Sequence, residues 1–369
     1  MIEPEAFLAA IEEAGIRFVT GVPDSLLKDV CACIAARYPS DRHVIAANEG
    51  GAIGLAIGHY LASGRPALVY LQNSGLGNAV NPIVSLADPQ VYGIPMVLLI
   101  GWRGEMRADG TQVADEPQHR KQGQITPALL ETLDIPSRVL DSATDIAELA
   151  ADARSRSGPV ALLARKNTFA PFRLDTDVDD RLMSRKEAIA VILRLSDDTP
   201  IVATTGMASR ELFELRTVHH RDFLTVGGMG HASQIAAGIA LTQPDRKVLC
   251  LDGDGAMLMH MGSLTISADC RNLVHIVLNN GAHDSVGGQP TKAEALELTA
   301  IASACGYSSV ASASTATEIE TSLRSMLQSA GSSFLEIKCR RGARPNLGRP
   351  DRSPADNKHD FMSFLRHER

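Results

Sequence analysis

The stretch KVLCLDGDG runs from an apolar strand straight into a helical pattern, and Gly253-Asp254-Gly255 at the junction sets one carboxylate among exposed backbone amides. Amides at a helix N-terminus attract an anion, and a carboxylate beside a diphosphate's oxygens is stable there only with a cation between them. Magnesium takes roughly octahedral oxygen ligands at about 2.1 Å, commonly one or two protein groups with phosphate and water. The next strand, NLVHIVLNN, ends in Asn279-Asn280 at the same carboxyl edge, where an amide oxygen binds a cation without adding charge. GDG alone is a common strand-to-helix turn and NNG alone a common tight turn. Their placement on consecutive strands, one helix apart, is what points to a diphosphate–magnesium site. A second acid, Glu49 in AANEGGAIGLAIGHYLASG, ends a strand and opens a helix whose small residues permit close approach to a partner surface. By itself a Glu in a first turn only complements the helix dipole.

GDG followed some two dozen residues later by NN resembles the fingerprint of thiamine diphosphate enzymes. That resemblance implies that Asp254, the side chain of Asn280 and the backbone carbonyl of Ala282 hold magnesium, while Gly253, Gly255 and Ala256 lie along the diphosphate. TVGGMGHASQIAAGIAL is similar to the segment under the aminopyrimidine, so Gly227 is expected to offer its carbonyl to the exocyclic amine and Met229 to be the apolar wedge that bends the cofactor. TTGMAS, residues 204–209, resembles a diphosphate-contacting turn. The Glu49 segment is similar to the pyrimidine domain of these enzymes, in which one Glu favours the imino tautomer and lets the cofactor's own nitrogen deprotonate the thiazolium carbon. Glu49 and Asp254 fall on different domains, which in the family come from different chains, so the resemblance implies at least a homodimer or a higher homo-oligomer.

GVPDSLLK, YLQNSGLGNAVNPIVSL, DEPQHRKQG, GMASRELFELR, DGDGAMLMHMG and NNGAHDSVGGQPT together resemble the phosphonopyruvate decarboxylase family over residues 21–291. The implied reaction is loss of carbon dioxide from a 2-oxo acid with an anionic headgroup, giving phosphonoacetaldehyde. Asp24 and His119 match acid/base positions of related decarboxylases, although Asp24 could also cap its helix and His119 could be a solvated loop residue. Arg103, Arg107, Arg120, Lys121 and Lys292 flank the right loops for the headgroup, and the amides of SVGGQPT are an alternative. The neighbouring sulfopyruvate decarboxylases share much of the pattern. A noncatalytic cofactor-binding partner is opposed by Glu49, Asp254 and Asn280 occurring in one chain, and a nicotinamide enzyme by the lack of an early GxGxxG.

The elements that must position these residues form two α/β series. Apolar runs at 18–20, 44–47, 67–71, 96–100 and 160–164, and again at 201–204, 224–226, 248–251, 274–278 and 334–337, alternate with helical patterns, as in buried parallel sheets. The expectation is two doubly wound parallel-sheet domains: a pyrimidine domain over 1–171, a linker over 172–184 and a diphosphate domain over 185–345. A polar, poorly packed C-terminal arm is expected over 346–369, and there is no room for a central third domain. A net charge of -7 argues against a nucleic-acid surface. No apolar run approaches a membrane span, MIEPEAFLAAIEEAGI carries acids unlike a secretory signal, and the six cysteines lack metal-type spacing, which suits a cytoplasmic protein.

Overall fold

The computed structural model describes residues 1–107, 109–173, 181–196, 198–344 and 346–367. The chain divides into two compact units, Met1–Thr176 and Asp177–Arg369. Of the linker expected over 172–184, residues 174–180 lie outside the described residues.

The first unit holds strands β1 (Val19–Gly21), β2 (His43–Ile45), β3 (Ala67–Gln72), β4 (Met96–Gly101), β5 (Ser137–Val139) and β6 (Pro159–Ala164), paired in parallel in the order β2-β1-β3-β4-β6-β5. The second holds β7 (Ile201–Ala203), β8 (Asp222–Leu224), β9 (Val248–Gly253), β10 (Leu273–Asn279), a hairpin of β11 (Ala282–His283) and β12 (Gln289–Pro290), then β13 (Ser309–Ala313) and β14 (Ser333–Lys338). Its main sheet is ordered β13-β14-β10-β9-β7-β8, the same winding read from the other edge. In each unit the chain first steps outward, from β1 to β2 or β7 to β8, and then returns on the far side of its first strand. The crevice where ligands bind in such sheets opens at that reversal, beyond the carboxyl ends of the strands.

Continuous apolar runs arise because both sheet faces are covered. Leu68, Tyr70, Val97 and Leu99 enter one buried cluster, while Val69, Leu71, Met96 and Leu98 enter the other. A strand alternates its side chains between faces, so a run buried on both sides has no polar position. Every residue of β4 and β6 is accordingly buried. Each sheet also contains one strand the apolar pattern does not announce. β5 (SRV) and β13 (SVASA) are edge strands with partly exposed residues, so neither needs a solid apolar run. β2, expected to be buried, is a half-buried edge strand.

The C-terminal segment corrects the expectation of a poorly packed arm. Pro354–His367 is a helix. Ser353 Oγ accepts from Asp356 N at 3.1 Å, and Pro354 sits at the first helical position, where its missing N–H costs nothing. Phe361 and Phe364, one turn apart, are buried, Phe361 against Phe223 of β8 and Phe364 under the Arg246 guanidinium. Asn357 accepts from Leu224 N at 3.0 Å through Oδ1 and donates to Asp222 O at 2.7 Å through Nδ2, pairing backbone groups of the edge strand β8. Polar composition concealed the pattern of a Ser-Pro start followed by two phenylalanines.

Asn357→Ala leaves two buried backbone groups unpaired at about 1–3 kcal/mol each. The expected outcome is an earlier urea transition of the second unit, with the first unit's transition unmoved, followed by circular dichroism.

Candidate active site

Asp254 is the first residue of the helix Asp254–Met259, directly after β9, and is 3% exposed. Burial pushes its carboxyl up to about 6; the Thr291 hydroxyl, donating to Oδ2, opposes this, and the nearby Asp284 adds to it. Asn280 follows β10, its Nδ2 donating to Asp284 Oδ2 and its Oδ1 accepting from Ala282 N at 3.2 Å. Ala282 opens the β11–β12 hairpin, which closes through Thr291 N donating to Gly281 O at 3.0 Å. Asn279 points elsewhere: it donates to the buried Glu336 at 2.7 Å, so of the Asn pair only Asn280 borders Asp284. The donor set at this edge is hard oxygen, carboxylate, carboxamide and carbonyl, beside a helix start, which fits a diphosphate-bound divalent cation.

Two other turns of the second unit reach the same edge. Gly228 and Gly230 have φ of 60° and 85°, and a Cβ on Gly230 would overlap His260 and crowd Ala256 O, so the Gly227–Gly230 turn lies against the Asp254 helix. Met229 on it is half-buried. Gly206, at φ 89°, ends the turn after β7, and a Cβ added there would stand 3.7 Å from the Ser285 side chain of the hairpin. Residues 204–206, 227–230, 253–256 and 280–291 therefore converge. Cys250, Asp252 and His275 also cluster closely enough for a metal, but they are core residues. His275 is held at Nε2 by Asp252 (3.3 Å) and at Nδ1 by the Tyr307 hydroxyl (3.0 Å), while Asp252 Oδ1 accepts from Gly253 N at 2.9 Å and steadies the turn before Asp254.

The first unit gathers its polar side chains at its own carboxyl edge. Glu49 opens the helix Glu49–Ser63, whose N-cap Asn48 accepts from Gly51 N at 2.8 Å. It is 6% exposed, and burial raises its pKa against the opposing Asn78, whose Nδ2 donates to Oε2 at 2.9 Å. A Cβ on Gly75 would overlap the Glu49 carboxyl, so Gly75 is what admits it. Asp24 is fully buried after β1: Oδ2 accepts from Leu26 N at 2.8 Å, and Gln72 donates to Oδ1. Burial raises its pKa, with Gln72, Leu26 and Arg103 opposing. The helix that follows starts at Lys28 with Leu27 as its N-cap, so Asp24 is not that cap.

His119 belongs to the helix Pro117–Thr132 and is not a loop residue. Burial and Arg103 push it down to about 4, against Asp115, and its Nδ1 is buried without a hydrogen-bond partner. The imidazole is therefore neutral near neutral pH, with one ring nitrogen not engaged by the protein. Arg103, which acts electrostatically on Asp24 and His119 alike, is itself committed: Nε donates to Asp115 Oδ2 at 2.8 Å, Nη2 to Asp115 Oδ1 and Nη1 to Ser25 Oγ at 2.9 Å. It is an internal strut, whereas Arg107, Arg120, Lys121 and Lys292 are exposed. Asn73, 1% exposed, ties this corner together by donating to Arg103 O and Thr126 Oγ1, both at 3.0 Å. Asn78, Gln72, Asp115, Asp284 and Thr291 complete these clusters without standing out in the sequence. All but Asn78 and Gln72 lie within the DEPQH and NNGAHDSVGGQPT segments or at their border, and their roles as hydrogen-bond partners leave no spacing signature.

Residues 4–127 match the thiamine pyrophosphate enzyme N-terminal TPP binding domain and residues 203–337 the corresponding C-terminal TPP binding domain. The chain is 35% identical over 391 residues to the phosphonopyruvate decarboxylase of Streptomyces viridochromogenes, a match covering 99% of this chain and 95% of that one. This chain belongs to the phosphonopyruvate decarboxylase family. The phosphonopyruvate decarboxylase of Streptomyces hygroscopicus is 34% identical over 390 residues, with 99% and 94% covered. The sulfopyruvate decarboxylase of Methanosarcina acetivorans is more distant, at 28% over 336 residues and 83% of each chain. Membership in the phosphonopyruvate decarboxylase family accords with two parallel α/β units, one for each TPP binding domain.

The raised Asp254 pKa carries a stability consequence in metal-free, cofactor-free protein. Below about pH 4 the carboxyl is protonated folded and unfolded alike, and no penalty exists. Between there and the folded value of about 6 only the unfolded chain ionises, so stability falls across that window, and the full penalty persists above it. The shift corresponds to at most about 3 kcal/mol. Asp254→Asn is therefore expected to stabilise the apoprotein at pH 8 and to change little at pH 4, as read by urea unfolding at both pH values.

Proposed function

We propose that this chain catalyses thiamine diphosphate- and magnesium-dependent decarboxylation of phosphonopyruvate to phosphonoacetaldehyde and carbon dioxide. The observation that carries the proposal is near-complete coverage by two phosphonopyruvate decarboxylases, in a chain that has Glu49 in one unit and both Asp254 and Asn280 in the other. Bound thiamine diphosphate supplies a nucleophilic carbon and a sink for the electron pair left when carbon dioxide departs.

The chain's own groups have distinct tasks. Asp254, the Asn280 side-chain oxygen and the Ala282 carbonyl hold magnesium against the diphosphate, with Gly253, Gly255 and Ala256 offering close backbone approach. Gly227 would meet the aminopyrimidine's amine with its carbonyl, and Met229 would lie against the cofactor. Glu49 holds a proton on the aminopyrimidine ring; its raised pKa suits a carboxyl that must share a proton with a weakly basic nitrogen. Asp24 and His119 handle the proton that ends at the former keto-acid carbon. Burial favours the protonated form of the first, and the second presents a buried ring nitrogen without a hydrogen-bond partner. The headgroup is met by exposed cations among Arg107, Arg120, Lys121 and Lys292, or by amides of the hairpin. Arg103 is spent on Asp115 and Ser25.

Assembly into at least a homodimer belongs to the same proposal, with Glu49 of one chain serving the cofactor held by Asp254 of another. A cytoplasmic site of action is proposed too: the cysteines are free, five of them buried. Among the described residues no helix is long and apolar enough to cross a membrane.

The reaction is tested by measuring carbon dioxide release from phosphonopyruvate, sulfopyruvate and pyruvate with saturating cofactor and magnesium. A phosphonate carries a second charge and can donate a proton, whereas a sulfonate only accepts, and a buried donor left unpaired costs about 1–3 kcal/mol. The expected order of kcat/KM is phosphonopyruvate, sulfopyruvate, pyruvate, with about tenfold to a hundredfold between the first two. Equal or better turnover of sulfopyruvate rejects the substrate assignment. The sharing of sites is tested by mixing inactive Glu49→Gln and Asp254→Ala proteins under conditions where exchange of labelled chains is seen. Partial activity is expected from sites carrying neither lesion, and its absence despite exchange rejects shared sites.

A further inference from the structure

Asn280 presents a problem that Asp254 does not. A carboxylate offers oxygen at either end, but a carboxamide turned halfway round presents N–H, which a cation repels. Something must hold the amide in one sense, and the hairpin provides it. Asp284, in the turn between β11 and β12, accepts from Asn280 Nδ2 at 2.5 Å. A carboxylate has no proton to give, so it faces only the nitrogen end and leaves Oδ1 on the other side.

Asp284 is in turn fully engaged. Arg185, the first residue of the helix Arg185–Leu195, pairs with its Oδ2 at 2.5 Å, and Gly342 N lies 3.2 Å from each carboxylate oxygen. The Asp284 and Arg185 side chains are 8% and 9% exposed. Arg185 is presented by a capping box in which Ser184 and Glu187 exchange hydrogen bonds, so the guanidinium comes from a fixed helix start. The contacts form a directional series from a cation through a carboxylate to an amide, ending at the oxygen proposed as a magnesium ligand.

We infer that Asp284 is a positioning residue that locks the Asn280 carboxamide with its oxygen toward the cation, and that Arg185 holds Asp284 in that service. The inference rests on the proposed assignment of Asn280 as a ligand. It also accounts for the hairpin as a two-point device, since Thr291 at its far end holds the Asp254 carboxylate. Outer partners of this kind are commonly worth tenfold to a hundredfold in metal affinity, roughly.

The test is Mn2+ binding to the full-length protein in the presence of thiamine diphosphate, read as free Mn2+ by electron paramagnetic resonance, in a cycle of Asn280→Ala, Asp284→Ala and the double variant. Asp284→Ala is expected to weaken Mn2+ binding about tenfold or more in the parent and to add nothing in the Asn280→Ala background. Parent-like affinity in Asp284→Ala, or an equal loss in both backgrounds, overturns the inference. If Asp284→Ala fails to fold because Arg185 is left buried and unpaired, Asp284→Ala combined with Arg185→Met takes its place in the cycle, judged by the same outcomes. Asp254→Ala separates the two levels of the argument. If Asp254→Ala and Asn280→Ala both bind Mn2+ like the parent, the ligand assignment itself fails; if they lose it while the Asp284 variant does not, only the positioning role fails.

Discussion

Carboxylates kept from water at the ends of parallel strands set the terms for the rest of this molecule. Taking an acid such as Glu49, Asp24 or Asp254 into the interior opposes folding unless donors or a counter-charge stand beside it. Here the compensation is partial: Glu49 has Asn78, Asp24 has Gln72 and Leu26 N, and Asp254 has Thr291, and all three pKa values remain raised. Sites left under-compensated in the empty protein are poised to gain when a cation or a ring nitrogen supplies what is missing.

Both units solve the placement problem with one topology. A strand order that steps out once and doubles back opens a crevice beside the first strand, and the acids are found on the turns around it: Asp24 after β1, Glu49 after β2 and Asp254 after β9. Small residues then decide how near the chain can come. Gly75 is the room Glu49 occupies, and Gly101 does the same for Asp24, since a Cβ at either would overlap the carboxyl. Replacing those glycines changes the acids' surroundings without touching the acids.

The central strands could be read from the amino acids because a strand covered on both faces is dominated by apolar residues: β4 and β6 are apolar throughout, and β9 and β10 break their runs only with Asp252, His275 and Asn279, each buried and hydrogen-bonded. β5 and β13 escaped because an edge strand is held by one neighbour and tolerates SRV or SVASA. The tail helix escaped because most of its residues are polar and, among the described residues, only Asn357, Phe361 and Phe364 of it are buried. At the site, the glycines and carboxylate of GDG and the amides of NN stood out because an open strand-to-helix turn and oxygen donors at consecutive strand ends form a recognisable spacing. Their supports did not: that Asp284 faces Asn280 and Asp115 takes Arg103 depends on loop conformation, which no periodicity encodes.

The Asn357 carboxamide imitates a peptide group where β8 would otherwise accept another strand. Sheet growth at that margin is therefore halted by a helix that lies outside both TPP binding domains. A shortened molecule would keep every residue of both TPP binding domains and yet carry an open template along β8, where self-association of the kind that fills inclusion bodies begins.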